Sequence, residues 1–286
     1  QYADNEDLTA FLLRMVWIGQ LSGVLSEVKN IALMPTVAHY ARIVAFRAII
    51  AIGSDEDIND VRRDFLAEGP KLKREWLAEL LKGIQPSELT LNWLLACLEK
   101  SEPKELYTVD HLTDNVTEFV VSSEVELLPQ LVTGLNSLLN LLPIIEHRNS
   151  EVSEKYQWLL APACKAVERL ILARHPVSLE QDVLAILHKI TAVHGYGSNE
   201  LTEVKVAFSK IIPAWKELNR ALFWFEVQRS RESVDKKRGE RVTDFWQATI
   251  FKLFWRFEDG DFEYVAEQIS NQSNLDDRLV ALSLAF

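Results

Sequence analysis

The stretch Arg42-Ile43-Val44-Ala45-Phe46-Arg47-Ala48-Ile49-Ile50-Ala51-Ile52-Gly53-Ser54-Asp55-Glu56 sets an amphipathic segment rich in small residues directly against an acidic helix start. Glycine ends the first helix, and Ser54, Asp55, Glu56 and Asp57 bring acceptors and negative charge to the unpaired amides of the next. So short a link between two helices reads as part of a helical hairpin. A weaker echo, Asp277-Arg278-Leu279-Val280-Ala281-Leu282-Ser283-Leu284-Ala285, stands near the end of the chain.

Outward from this stretch, apolar residues recur every three or four positions, the period of one helix face. The spacing predicts a first helix over Asn5 to Val28, with Leu8, Phe11, Leu12, Met15 and Ile18 on one face. A second follows Pro35 and ends at Gly53. Ile58, Val61, Phe65 and Leu66 form the stripe of a third, closed by Gly69-Pro70. Further helices are expected at Lys71 to Lys82, Ser87 to Lys100, Asp110 to Val121, Glu124 to Leu142 and Glu151 to Arg174. Ser178-Leu179-Glu180-Gln181 has the form of a capping box and opens a helix to Val193. Gly195 to Asn199 is the clearest loop and a sub-boundary within an otherwise single domain spanning 1–286. Beyond it a long helix kinks at Pro213 and runs to Val227, a charged loop covers Gln228 to Gly239, and a helix resumes from Glu240 to Phe257. A turn at Glu258 to Asp261 precedes the last two helices. Thr117 to Val121 is the sole strand-like run, too short to anchor a sheet.

Helix starts about every twenty residues correspond to two-helix units of about forty, or roughly thirteen helices in all. In this count, and in Arg42, Ala45, Ala48 and Gly53-Ser54-Asp55, the chain resembles HEAT and armadillo repeats. That resemblance implies an all-α fold, a right-handed α-solenoid of stacked antiparallel helix pairs. In overall cast the chain also resembles the helical regions of larger bacterial NACHT- and STAND-type signalling NTPases, some of them antiphage-defence proteins. Any ATPase chemistry would then lie outside these residues.

Bulk composition narrows the function. Among 286 residues, 48% are hydrophobic and 26% charged, with only 10 glycines and 9 prolines, which favours a folded, helix-rich protein. Cys97 and Cys164 sit inside apolar patterns, so free thiols in a reducing, cytoplasmic setting are expected. The longest uncharged run, Leu127 to Ile145, repeats its leucines on one helix face and carries Asn136 and Asn140, unlike a membrane span. The absence of an initiating methionine and an apolar end without a polar cap suggest a piece of a longer protein. The net charge of −11 opposes general nucleic-acid binding, although 200–258 carries a local basic excess.

Chemical motifs are sparse. There is no phosphate-binding Gly-Lys-Ser/Thr loop, and Gly195-Tyr196-Gly197 lacks a third glycine. None of the six histidines pairs with another at the i, i+4 spacing that puts two imidazoles on one face. The calcium-loop imitations at Asp55 and Asp259 lack both the central glycine and the final carboxylate. Neither a Gly-x-Ser-x-Gly elbow nor a polar cysteine setting is present. No catalytic, cofactor or metal residue is therefore assigned. What remains is a basic cluster, Arg229, Arg231, Lys236, Lys237, Arg238 and Arg241, interleaved with the aromatics Trp215, Phe223, Trp224, Phe225, Phe245, Trp246, Phe251, Phe254, Trp255 and Phe257. The aromatics read as a core hairpin, Ala207 to Val227 against Val242 to Phe257, and the basic residues as a candidate partner-binding site. The expected function is a non-enzymatic scaffold or sensor module that binds a protein or neighbouring domains. The alternative is a HEAT-like DNA-binding module or DNA glycosylase working through residues 215–256.

Overall fold

The computed structural model describes residues 5–69, 71–105, 111–147, 150–190, 199–238, 254–271 and 274–284. Apart from one two-stranded hairpin, the regular structure in these residues is helical. The chain divides into two compact units, at Leu127/Leu128. Most of the loop expected at 195–199 lies outside the described residues.

The first unit holds seven described helices: α1 (Glu6–Gly19), α2 (Leu25–Leu33), α3 (His39–Ile52), α4 (Asp55–Ala67), α5 (Arg74–Leu81), α6 (Glu88–Lys100) and α7 (Leu112–Ser122). Its centre is α3, where Ala41, Val44, Ala45, Phe46, Ala48 and Ile49 are all buried. Small side chains let neighbouring helices approach closely, and α3 touches α1, α2, α4 and α5. Gly53, in an extended conformation at φ −81°, is required by proximity. A Cβ there would lie 2.7 Å from the Ile49 carbonyl oxygen and 3.3 Å from the Asp57 Cβ. Ser54 then caps α4 reciprocally: its hydroxyl accepts from the Asp57 amide at 3.2 Å, and the Asp57 carboxylate accepts from the Ser54 amide at 3.1 Å. A second capping box, Ser87 with Thr90, opens α6, and Gly83, at φ 68°, supplies a left-handed residue after α5.

Helices two apart in sequence pack on one another in this unit. α1 meets α3, α3 meets α5 and α5 meets α7, while α2 meets α4 and α4 meets α6.

The N-terminal helix departs from expectation in its length. It stops at Gly19, because Gln20 turns left-handed at φ 48° and the Leu21 amide donates back to the Val16 carbonyl, and a 3-10 turn at Ser22–Val24 separates it from α2. Its buried face is Thr9, Ala10 and Leu13, whereas Phe11 is 57% exposed, Met15 50% and Ile18 76%. The helix has two apolar stripes, and the one carrying smaller residues faces α3.

The second unit contains α8 (Leu128–Leu139), the hairpin β1 (Ile144–His147) and β2 (Ser150–Ser153), α9 (Leu160–Leu172), α10 (Gln181–Lys189), α11 (Asn199–Ile211), α12 (Lys216–Arg238), α13 (Phe262–Asn271) and α14 (Leu275–Ser283). α8 packs on α9 and α10, α9 on α10 and α11, and α10 on α12. The antiparallel hairpin pairs Ile144 with Ser153 and His147 with Ser150, and β2 packs against α8 and α10. It corrects the helix expected from Glu151, which begins only at Leu160 after a 3-10 turn. Four-residue strands are too short to show an alternating period.

Three other local expectations fail for identifiable reasons. The Ser178 box does not form: Pro176 starts a 3-10 turn that buries Ser178, and Glu180 stands at the α10 N-cap without a side-chain bond. Pro213 separates α11 from α12 rather than kinking one helix. The charged loop expected from Gln228 is instead the continuation of α12 to Arg238. Its Gln, Arg, Glu and Lys residues are good helix formers, and Arg229–Glu232 and Gln228–Glu232 pair along the helix. The described residues 254–257 are not helical, and the rest of the helix expected at 240–257 lies outside the described residues.

Candidate partner-binding site

Of the six basic residues singled out above, Arg229, Arg231, Lys236, Lys237 and Arg238 all fall on α12, and Arg241 lies outside the described residues. The helix does not give the first two a common role. Arg231, 14% exposed, forms an ion pair with Asp277 of α14, itself 22% exposed. Arg229 is 38% exposed and pairs with Glu232 at 2.9 Å on its own helix.

The aromatic residues that flank this segment form a core. Phe223 is fully buried, with edge-on ring contacts to Trp224 and Trp255 at 4.9 Å and to Phe257 at 5.1 Å. Phe208 packs on Phe254. The polar edges are satisfied internally: the Trp255 indole donates to Glu226 at 2.6 Å, and the Trp224 indole donates to the Tyr264 hydroxyl at 2.9 Å. The Asn219 amide closes both backbone groups of Arg256, at 2.7 and 2.8 Å. Phe208, Phe223, Phe254 and Trp255 are thereby buried and unavailable for stacking on bases. Phe245, Trp246 and Phe251 lie outside the described residues.

Arg229 borders a cleft of about 500 Å³ within the second unit, between α8, β2, α10 and α12. Its lining includes Lys189, only 5% exposed. The ammonium donates to Asn140 Oδ1 and to the Glu151 carbonyl oxygen, both at 2.8 Å. Burial, followed by the positive charge of Arg229, lowers its pKa to about 8, while Glu151 works in the opposite direction. Beside it, Asp182 accepts from the Thr133 hydroxyl at 2.5 Å and from the Asn136 amide at 2.9 Å. His188 lies edge-on to Phe225, and Trp224 contributes to the same lining. The cleft thus combines a buried cation, a second cation and an aromatic surface.

The sequence pointed to Arg229 but not to Lys189, Asn140 or Asp182. Seven residues after Asp182, Lys189 falls on the polar face of α10, where nothing in the sequence sets it apart from a surface lysine.

In the first unit, Arg42 and Arg47 act as packing residues. Arg42, 2% exposed, is ion-paired with Glu68 and stacks 4.1 Å from the centre of the Trp76 ring. Arg47 joins Glu79 of α5 and lies over Trp17 at 5.4 Å. Lys73 and His39 also border Trp76, beside a second cleft of about 460 Å³. Its lining mixes Lys71, Lys73 and Arg74 with Glu75, Glu102 and Glu105, which leaves no single sign of charge.

Cys97 and Cys164 are free and buried, and burial pushes the Cys97 thiol up to about 12 and that of Cys164 in the same direction. Neither is a nucleophile near neutral pH. Among the described residues no helix is long and apolar enough to cross a membrane. No protein-family model matches the chain, and no match was found among curated proteins or solved structures.

Proposed function

We propose that the chain is a HEAT-like α-solenoid that works as a non-enzymatic scaffold or sensor module, binding a protein partner or neighbouring domains in a cytoplasmic, larger assembly. The observation that carries this reading is the next-but-one packing of the first unit, α1–α3–α5–α7 in one row and α2–α4–α6 in another. Helix pairs stacked in register put one member of each pair into each of two such rows. A stack of this kind offers a broad face assembled from many helices, suited to proteins rather than to a single reacting group. The resemblance to the helical arms of NACHT- and STAND-type NTPases belongs to the same proposal.

The DNA-binding alternative has less support. Its basic region sits on an acidic chain, Arg229 and Arg231 each carry a carboxylate partner, and the described aromatics are packed together. Capture of interacting proteins, followed by reconstitution with each purified candidate, tests the scaffold reading. A direct complex that survives nuclease treatment supports it. Tight, salt-sensitive duplex DNA binding with no reconstituted protein complex would overturn it.

A further inference from the structure

We propose that the cleft between α8, β2, α10 and α12 binds a monocarboxylate, its acid group between Lys189 and Arg229 and its body against Trp224 and Phe225. The inference stands on the hydrogen-bond inventory of the cleft and is independent of the scaffold reading.

Lys189 has three N–H donors, and two are taken by neutral oxygens, Asn140 Oδ1 and the Glu151 carbonyl. Among the described residues no carboxylate forms an ion pair with it. A buried ammonium with no carboxylate in direct contact gains when an anion binds to it directly. Arg229 uses one nitrogen on Glu232, and its remaining donors can meet the same acid.

Two carboxylates of the cleft are already held by neighbouring donors. Both oxygens of Asp182 accept bonds, from Thr133 and Asn136, and both oxygens of Glu232 accept bonds, from Gln228 and Arg229. The charged and titratable groups that surround Lys189 are Glu151 from β2, Asp182 and His188 from α10, and Arg229 and Glu232 from α12. With three carboxylates in that set, one negative charge on the ligand suits the cleft better than the two of a phosphate. Its volume of about 500 Å³ lies within the usual range for small-ligand sites. The acid can come from a small molecule or from a Glu or Asp side chain of a peptide.

The test uses the whole chain with ¹³C-labelled lysine, the Lys189 ε-carbon signal being assigned through the Lys189→Met variant. Phenylacetate and a Glu-containing blocked hexapeptide are the two probes, with phenylacetamide and the Gln-containing hexapeptide as neutral twins. A saturable shift of the Lys189 signal with either acid and not with its twin is expected, together with a rise in the Lys189 pKa. Response to phenylacetate alone identifies a small acid, and response to the peptide alone an acidic segment. Arg229→Gln weakens the response about tenfold, the loss of one charge-assisted hydrogen bond. No saturable shift up to ~10 mM of either acid, equal response to the neutral twins, or full response in Arg229→Gln would overturn the proposal.

Discussion

Lys189 places a titratable group where folding must work against its charge. Its pKa in the folded chain is about 8, against 10.5 for an ordinary lysine, so between these values the unfolded chain binds a proton that the folded chain does not. Stability must then rise with pH across this window, and the burden of the charged form is fully present below about 8. Urea unfolding of the natural chain and of Lys189→Met from pH 7.5 to 10.5 measures this, and a constant difference between them would refute it. Asp57 has the opposite sign. Bonds from Ser54, then Lys29, lower its pKa from 3.8 to about 2, so its stabilisation is present above 3.8 and disappears as pH falls to about 2. The Asp57→Asn variant should lose that acid-dependent component while keeping the rest of the profile. The two residues also differ in how far the sequence revealed them. Asp57 caps its own helix three residues from Ser54, a local relation visible in the order of residues. Lys189 acquires its surroundings from Asn140, Glu151 and Arg229, all at least 38 positions away.

At the scale of elements, the first helix shows why periodicity fixes a helix more firmly than its orientation. Phe11, Leu12, Met15 and Ile18 make a helical stripe as good as the buried Ala10 and Leu13, and the partner α3 decides between them through close approach. Leu13→Ala should cost about 2–5 kcal/mol, and Phe11→Ala should stay within about 0.5 kcal/mol, as read by denaturant unfolding. The reverse order would put the other stripe against α3. α12 illustrates a different ambiguity, since charge-rich sequence describes both a solvated loop and an exposed helix. Amide hydrogen exchange separates them: protection through Gln228–Glu232 is expected, and exchange at the rate of unstructured chain would contradict the helix. The hairpin at Ile144–Ser153 was invisible for a third reason, since each strand spans only two residues per face.

For the whole molecule, the helical class follows from the sequence, because a periodic pattern with few glycines and prolines leaves little room for sheets. The candidate site was legible only at Arg229, since a cleft is made by elements that meet in space and not in order. The solenoid proposed for the first unit rests on the contacts between helices two apart in sequence. In a stack each helix pair draws stability from its neighbours, whereas in a globule every helix shares one core. Native-state hydrogen exchange on the full chain carrying Val120→Ala in α7 distinguishes these directly, because Val120 is fully buried and α7 packs on α5 in the alternate row. In a stack, protection weakens in α7 and α5 with α1 and α2 unchanged. An equal fall in protection from α1 through α7 would contradict the stack.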